Sequence, residues 1–188
     1  MQASLVRRQL ATCLGARGNC LRAFATSGSH KMPLKAGDKL PAVDLFEGNP
    51  SKKVNTADLK GKVVIFGVPG AFTPTCNNDH APAFIKSVDA LKAKGVQSIV
   101  CVAVNDPFVM DAWGKSLGAA DKVRFLADTC AEFTKKADLN LDLTAVLGNV
   151  RCKRFAMVVE GGIIKAINVE PDGTGLSCSR ASDVINLL

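Results

Sequence analysis

Short apolar runs alternate along the chain with polar segments rich in turn residues, and their spacing predicts one mixed α/β domain. Ala42 to Phe46 alternates, Gly48-Asn49-Pro50 is a turn signal, and Lys53 to Asn55 reads as the return strand of a hairpin. Thr56 is placed to cap a helical turn through Lys60. Val63 to Val68 is an unbroken apolar run, the mark of a central strand covered on both faces. Phe84, Val88 and Leu91 recur at helical spacing and stop at Gly95. Ser98 to Val104 is a second buried strand. Asn105-Asp106-Pro107 starts a helix, with Phe108, Ala112 and Trp113 expected on its inner face. Val123 to Ala127 is a third strand, and Asp128 or Thr129 caps a helix running to about Ala137. Phe155 to Val159 and Ile163 to Val169 form a hairpin about Glu160-Gly161-Gly162. After the turn Asp172-Gly173-Thr174-Gly175, a terminal helix covers about Ser179 to Leu188, with Val184, Leu187 and Leu188 inward. The resulting order, β-α-β-α-β-α-β-β-α, describes a mixed sheet with helices on both faces.

Composition refines this picture at the N-terminus. The 188 residues carry a net charge of +7. Residues 1–30 hold Arg7, Arg8, Arg17 and Arg22 and no Asp or Glu. Without those four charges the net falls to +3, too little to argue a nucleic-acid partner. Arginines without acids, with Leu5, Leu10, Leu14 and Leu21 on one helical face, predict a mitochondrial transit peptide over residues 1–30, cut near Phe24 or Ala25. The domain is then 31–188. Met32 offers a second start and a cytoplasmic form, and Asn186-Leu187-Leu188 is not the peroxisomal Ser-Lys-Leu address. No apolar run approaches the roughly 18 residues of a membrane span. The seven cysteines include no C-x-x-C pair, which argues against a secreted disulfide framework. With two histidines, a zinc site has no support in the spacing, and no metal or cofactor is expected.

The chemistry concentrates in Val68-Pro69-Gly70-Ala71-Phe72-Thr73-Pro74-Thr75-Cys76, between a buried strand and a helix. A cysteine in the first helical turn meets unpaired N–H groups and the positive end of the helix dipole, which favour a thiolate. Thr73 brings a hydroxyl close to the sulfur, and Pro69 and Pro74 stiffen the loop.

Pro69, Thr73 and Cys76 match P-x-x-x-T-x-x-C, the active-site signature of the peroxiredoxins, and the string Gly67 to Cys76 resembles the peroxiredoxin-5 type. The resemblance covers about residues 33–188. It implies a thioredoxin-like α/β fold with an N-terminal hairpin extension and one inserted helix. It also implies a thiol-dependent peroxidase acting on hydrogen peroxide, alkyl hydroperoxides and peroxynitrite. In that reading Cys76 is the peroxidatic thiolate, Thr73 accepts from the peroxide and donates to the sulfur, and Pro69, Gly70 and Thr75 shape the site. Backbone N–H groups from Ala71 to Cys76 add donors. The family's arginine falls at Arg154, before Phe155, although Arg151 or Arg124 could compete on sequence alone. The segment Asp172 to Cys178 resembles the one that carries the resolving thiol, so Cys178 is expected to form an intramolecular disulfide with Cys76, recycled by thioredoxin. Cys101 is the rival, at the spacing used by plant-type enzymes, but its apolar run reads as core. Cys130 and Cys152 have no motif around them, and His80 reads as a hydrogen-bonding residue near the site rather than a base. Two other readings stay open: a one-cysteine peroxidase served by an external thiol, and a redox sensor. Monomer and homodimer both fit the resemblance, so a second copy of the chain stays open as a partner.

Overall fold

The computed structural model describes residues 33–188, so the expectations for the transit segment and Met32 lie outside the described residues. Strands β1 (Asp44–Glu47) and β2 (Lys53–Asn55) form the expected hairpin, with Leu45 opposite Val54. A 3-10 turn, Thr56–Asp58, follows, capped by the Asn55 side chain rather than by Thr56. The Thr56 hydroxyl instead donates to the Pro41 carbonyl and accepts from the Val43 amide, tying the hairpin to the segment before it. Then come β3 (Lys62–Gly67), a wide turn at Cys76–His80, α1 (Ala81–Lys86), α2 (Val88–Ala93) and β4 (Ser98–Ala103). The chain continues through α3 (Pro107–Ser116), β5 (Arg124–Ala127), α4 (Glu132–Lys136), β6 (Asn140–Asp142), α5 (Thr144–Leu147) and β7 (Val150–Cys152). It ends with β8 (Phe155–Glu160), β9 (Ile163–Val169) and α6 (Ala181–Leu187).

Seven strands form one sheet in the order β2-β1-β5-β4-β3-β8-β9. The pairs β3–β4 and β4–β5 are parallel, and β3–β8 and β8–β9 are antiparallel. Strand alternation sends Val64 and Phe66 into one core with Phe84, Leu91 and Trp113. It sends Val63 and Ile65 into the other, with Leu45, Phe133 and Phe155. The double coverage read from the apolar run is therefore present on β3.

The register also places the site. Gly67 pairs with Phe155 and Phe155 with Val169, so Arg154 and Glu170 arrive together at the carboxyl end of β3, beside the 68–76 loop. Gly67 makes this possible: a Cβ there would lie 2.1 Å from the Phe155 ring.

Three expectations need correction. Phe108 and Ala112 are exposed; α3 turns Pro107, Met110, Trp113 and Gly114 inward, so the stripe starts one residue earlier than predicted. Leu187 is also exposed, because Ala181 and Val184 set the inner face of α6. The small β6–β7 sheet and α5 were not anticipated. Elements of three or four residues carry too little periodicity to register. Asp128 does cap α4, but from four residues away, accepting from the Phe133 and Thr134 amides.

Candidate active site

The loop leaving β3 is tightly bonded before it reaches Cys76. The Ala71 amide donates to Asn105 Oδ1 at 3.0 Å, and the Thr73 hydroxyl donates to the Gly70 carbonyl at 2.9 Å. Phe72, half-exposed, takes a left-handed backbone (φ 60°), a conformation costly for a bulky residue. Pro69 and Gly70 are buried, and a Cβ on Gly70 would crowd Arg151 Nη1 and Thr73 Cγ2 at 3.3 Å. Thr73 and Thr75 are part-buried. Since the Thr73 proton is given to Gly70, its hydroxyl faces the site as an acceptor. The expected donation to the sulfur is not formed in this state. The Ala71 and Thr73 amides are likewise committed, Thr73 N–H to Gly70 O.

Cys76 opens a turn of i→i+5 type, in which the Ala81 amide bonds the Cys76 carbonyl. Turns of this kind concentrate at functional sites. It leaves both Cys76 and His80 fully buried, and Trp113, the one tryptophan of the chain, braces the turn by donating to Asn77 Oδ1 at 2.9 Å.

Arg154 is 2% exposed. Its Nη1 lies 3.4 Å from Cys76 Sγ and 3.2 Å from His80 Nδ1, and its Nε donates to the Thr174 carbonyl at 3.0 Å. A guanidinium only donates, so His80 Nδ1 must accept. The His80 proton therefore sits on Nε2 and is given to the Ser179 carbonyl at 2.8 Å. Burial pulls the imidazole pKa down to about 4, against the opposing hydrogen bond to Ser179, so His80 is neutral near pH 7. Among these partners of Arg154, only Cys76 can become an anion. A buried guanidinium without an anion is costly, and the Cys76 sulfur is the partner placed to meet that charge.

The competing cations are occupied elsewhere. Arg124 forms a two-point pair with Glu47 at 2.9 and 3.1 Å. Arg151 donates to the Val104 and Leu147 carbonyls and braces the loop beside Gly70. Its Nε is buried without a partner among the described residues.

Cys178 is part-buried on the segment after β9, its thiol donating to the Val169 carbonyl at 3.6 Å. Cys101 lies in the middle of β4, fully buried in the same core as Cys76. Burial first, and the neighbouring Cys76 next, push its thiol well above the ordinary range. Burial pushes the Cys152 thiol up to about 12, and Cys130 is exposed. Asn105 and Ser179 also bond residues of the site, through partners distant along the chain, and Glu170 holds the segment that bears Cys178; sequence reasoning missed all three.

The Redoxin family profile matches residues 35–185. Peroxiredoxin-2C of Oryza sativa subsp. japonica is 42% identical over 161 residues, covering 83% of this chain and 99% of the relative. The structure of reduced Prx3 from Vibrio vulnificus in complex with hydrogen peroxide matches with a TM-score of 0.75 at 39% identity, covering 81% of this chain and 98% of that one. Peroxiredoxin 5 from Alvinella pompejana matches with a TM-score of 0.72 at 39% identity, covering 82% and 96%. The seven-stranded sheet is thus the thioredoxin-like fold of these proteins. A match of this extent, over a domain built around a buried cysteine and arginine, means that the chain belongs to the peroxiredoxin family and is a thiol-dependent peroxidase.

Proposed function

We propose that this peroxidase is of the peroxiredoxin-5 type, with Cys76 peroxidatic, Cys178 resolving and thioredoxin as reductant. The observation that carries the reading is Arg154, a buried cation whose one ionisable anionic partner among its hydrogen bonds is the Cys76 sulfur. The thiolate attacks one oxygen of the hydroperoxide and the O–O bond breaks. The leaving oxygen departs with the electron pair, takes a proton, and leaves Cys76 as a sulfenic acid. Arg154 stabilises the sulfur before attack and the developing charge during it. With the Ala71 and Thr73 amides committed, the loop N–H groups that remain are those of Gly70, Phe72, Thr75 and Cys76, and the last two, at the start of the helical turn, are the ones we assign to the peroxide. Thr73 supplies the acceptor that orients it. Pro69, Gly70 and Thr75 keep this cradle narrow. Hydrogen peroxide, alkyl hydroperoxides and peroxynitrite all present the O–O bond this site needs.

Cys178 is preferred over Cys101 as the resolving thiol because it is part-exposed on a loop, whereas Cys101 is fully buried in the middle of a strand. The Arg-rich, acid-free residues 1–30 support a cleaved transit peptide, a domain of residues 31–188 and a mitochondrial matrix address, with Met32 as start of a cytoplasmic form. The protein works as a monomer or homodimer.

Replacing Cys178 with serine is expected to leave the first reaction with peroxide intact while thioredoxin-supported turnover falls to the no-enzyme rate. Small external thiols would still recycle the variant. Stopped-flow kinetics and a coupled thioredoxin assay measure the two parts. Thioredoxin turnover at the wild-type rate in Cys178→Ser would overturn the resolving assignment, and loss of turnover in Cys101→Ser instead would transfer the role to Cys101.

A further inference from the structure

Glu170, just after β9, is 1% exposed, and among the described residues no lysine or arginine side chain bonds its carboxylate. Instead the two oxygens accept five hydrogen bonds from three consecutive residues. These come from the Ser177 amide at 2.9 Å and hydroxyl at 2.6 Å, the Cys178 amide at 2.9 Å, and the Ser179 amide at 2.9 Å and hydroxyl at 2.7 Å. The carbonyls of the same segment are held as well: Asn168 Nδ2 donates to Cys178 O at 2.8 Å, and His80 Nε2 to Ser179 O at 2.8 Å. The Glu170 amide donates to the Arg154 carbonyl at 3.0 Å, so the carboxylate is anchored to the residue that contacts Cys76. Beside the segment lies a cleft of about 650 Å³ whose lining includes Thr75, His80, Pro82, Leu176, Arg180 and Ala181.

We propose that Glu170 is a latch on the Cys178 segment, which must open before Cys178 can reach oxidised Cys76. The proposal rests on the resolving role given to Cys178 above. In the latched state the Cys178 thiol points to the Val169 carbonyl, while Cys76 is enclosed with Arg154 against its sulfur. A disulfide needs the two sulfurs at about 2.05 Å, so the bonds that hold residues 177–179 have to break first. The latch also restrains reactivity. Burial and then the Glu170 charge push the Cys178 thiol up, and a thiol held protonated is a poor nucleophile. Burial works to raise the Glu170 pKa, but the bonds from Ser177, Ser179 and Cys178 outweigh it and keep the carboxyl well below the usual range. The latch is therefore charged and closed at neutral pH.

Once it opens, the Cys178 sulfur attacks the Cys76 sulfenic sulfur. The S–S bond forms, the S–O bond breaks, and the departing hydroxide combines with the thiol proton as water. A second hydroperoxide competes for the same sulfenic acid, transferring an oxygen to give the sulfinic acid and releasing water or an alcohol. The opening of the latch sets the balance between these two fates. Glu170 is a positioning residue here, not one that meets the peroxide.

Two variants test this in the intact protein. Glu170→Gln keeps the shape but removes the charge, and Ser177→Ala removes one side-chain bond with little risk to folding. In stopped-flow work with hydrogen peroxide, the peroxide-dependent phase should keep its wild-type rate in both. The following peroxide-independent phase, disulfide formation, should quicken by about tenfold in Glu170→Gln and about threefold in Ser177→Ala. The sulfinic acid formed per turnover, read by mass spectrometry, should fall by the same factors. Alkylation of Cys178 by iodoacetamide in the reduced protein should quicken in parallel. If the wild-type protein forms a Cys76–Cys178 disulfide but both variants form it at the wild-type rate, the latch is overturned and the resolving role stands. If the wild-type protein forms no such disulfide, the resolving role falls and takes the latch with it.

Discussion

Changing Cys76 to serine is expected to reduce peroxide consumption to the blank rate and also to weaken the fold. The first effect follows from chemistry. A serine hydroxyl is not ionised at neutral pH and cannot accept the oxygen that a thiolate takes from a peroxide. The second follows from Arg154. Its guanidinium is buried, donates to Cys76 Sγ, neutral His80 and a backbone carbonyl, and would lose the one of these partners that can take a negative charge. An uncompensated buried charge of this kind costs on the order of 3 kcal/mol, which thermal or urea unfolding would read directly. The sharper form of the test is a double-mutant cycle. Cys76→Ser combined with Arg154→Met removes both charges, so the two losses should fall short of additivity by about 1–3 kcal/mol. Strict additivity would mean that Cys76 carries no charge in the folded, reduced protein.

Arg154→Met carries the second large effect: the second-order rate constant for the reaction of Cys76 with hydrogen peroxide should drop by about 100- to 1,000-fold. Methionine preserves the apolar stem and removes both the charge and the fork of donors. Arg154→Lys should recover part of the loss, because its point charge can face the sulfur but cannot also reach His80 Nδ1 and the Thr174 carbonyl from fixed angles. Trp113, bonded to Asn77 in the Cys76 turn, supplies the fluorescence signal for the measurement. Burial, with help from the Arg154 charge, holds the His80 pKa down to about 4 in the wild-type protein, so Arg154→Met should also shift the His80 titration upward, which NMR of the imidazole would read. An Arg154→Met protein that reacts at the wild-type rate would remove the arginine from the mechanism.

The parts of this account that were readable in the sequence are those whose signal is contiguous. Val63 to Val68 announced a strand buried on both faces, Asp106 and Gly95 marked helix ends, and both were found where the pattern put them. Pro69, Thr73 and Cys76 stand within eight positions of each other, so one loop displays the chemistry. Arg154 was reached only through resemblance, because the separation of 78 positions between it and Cys76 is closed by sheet register, which no local window contains. Ser179 and Asn105 were missed because their partners are distant along the chain, and Glu170 because partners seven to nine residues on leave no periodic pattern. Each looks like an ordinary polar loop residue until the fold sets it against its partner. His80 was read as a hydrogen-bonding neighbour of the site, and its two bonds agree with that. What the sequence could not convey was its neutral state, which depends on burial against Phe66 and Phe84. Phe108 and Leu187 were misplaced because hydrophobicity alone was allowed to choose the inner face of a short helix.

The central claim is that Cys76, held by Arg154, is the thiol that meets peroxide. The most direct test is a cysteine map of the reduced domain after one equivalent of hydrogen peroxide, with free thiols blocked and peptides separated without reductant. The account predicts that Cys76 is oxidised before Cys101, Cys130 and Cys152 and is recovered linked to Cys178. Exposed Cys130 reacting as fast as buried Cys76 would contradict it, because accessibility rather than the Arg154 site would then be deciding which sulfur is oxidised.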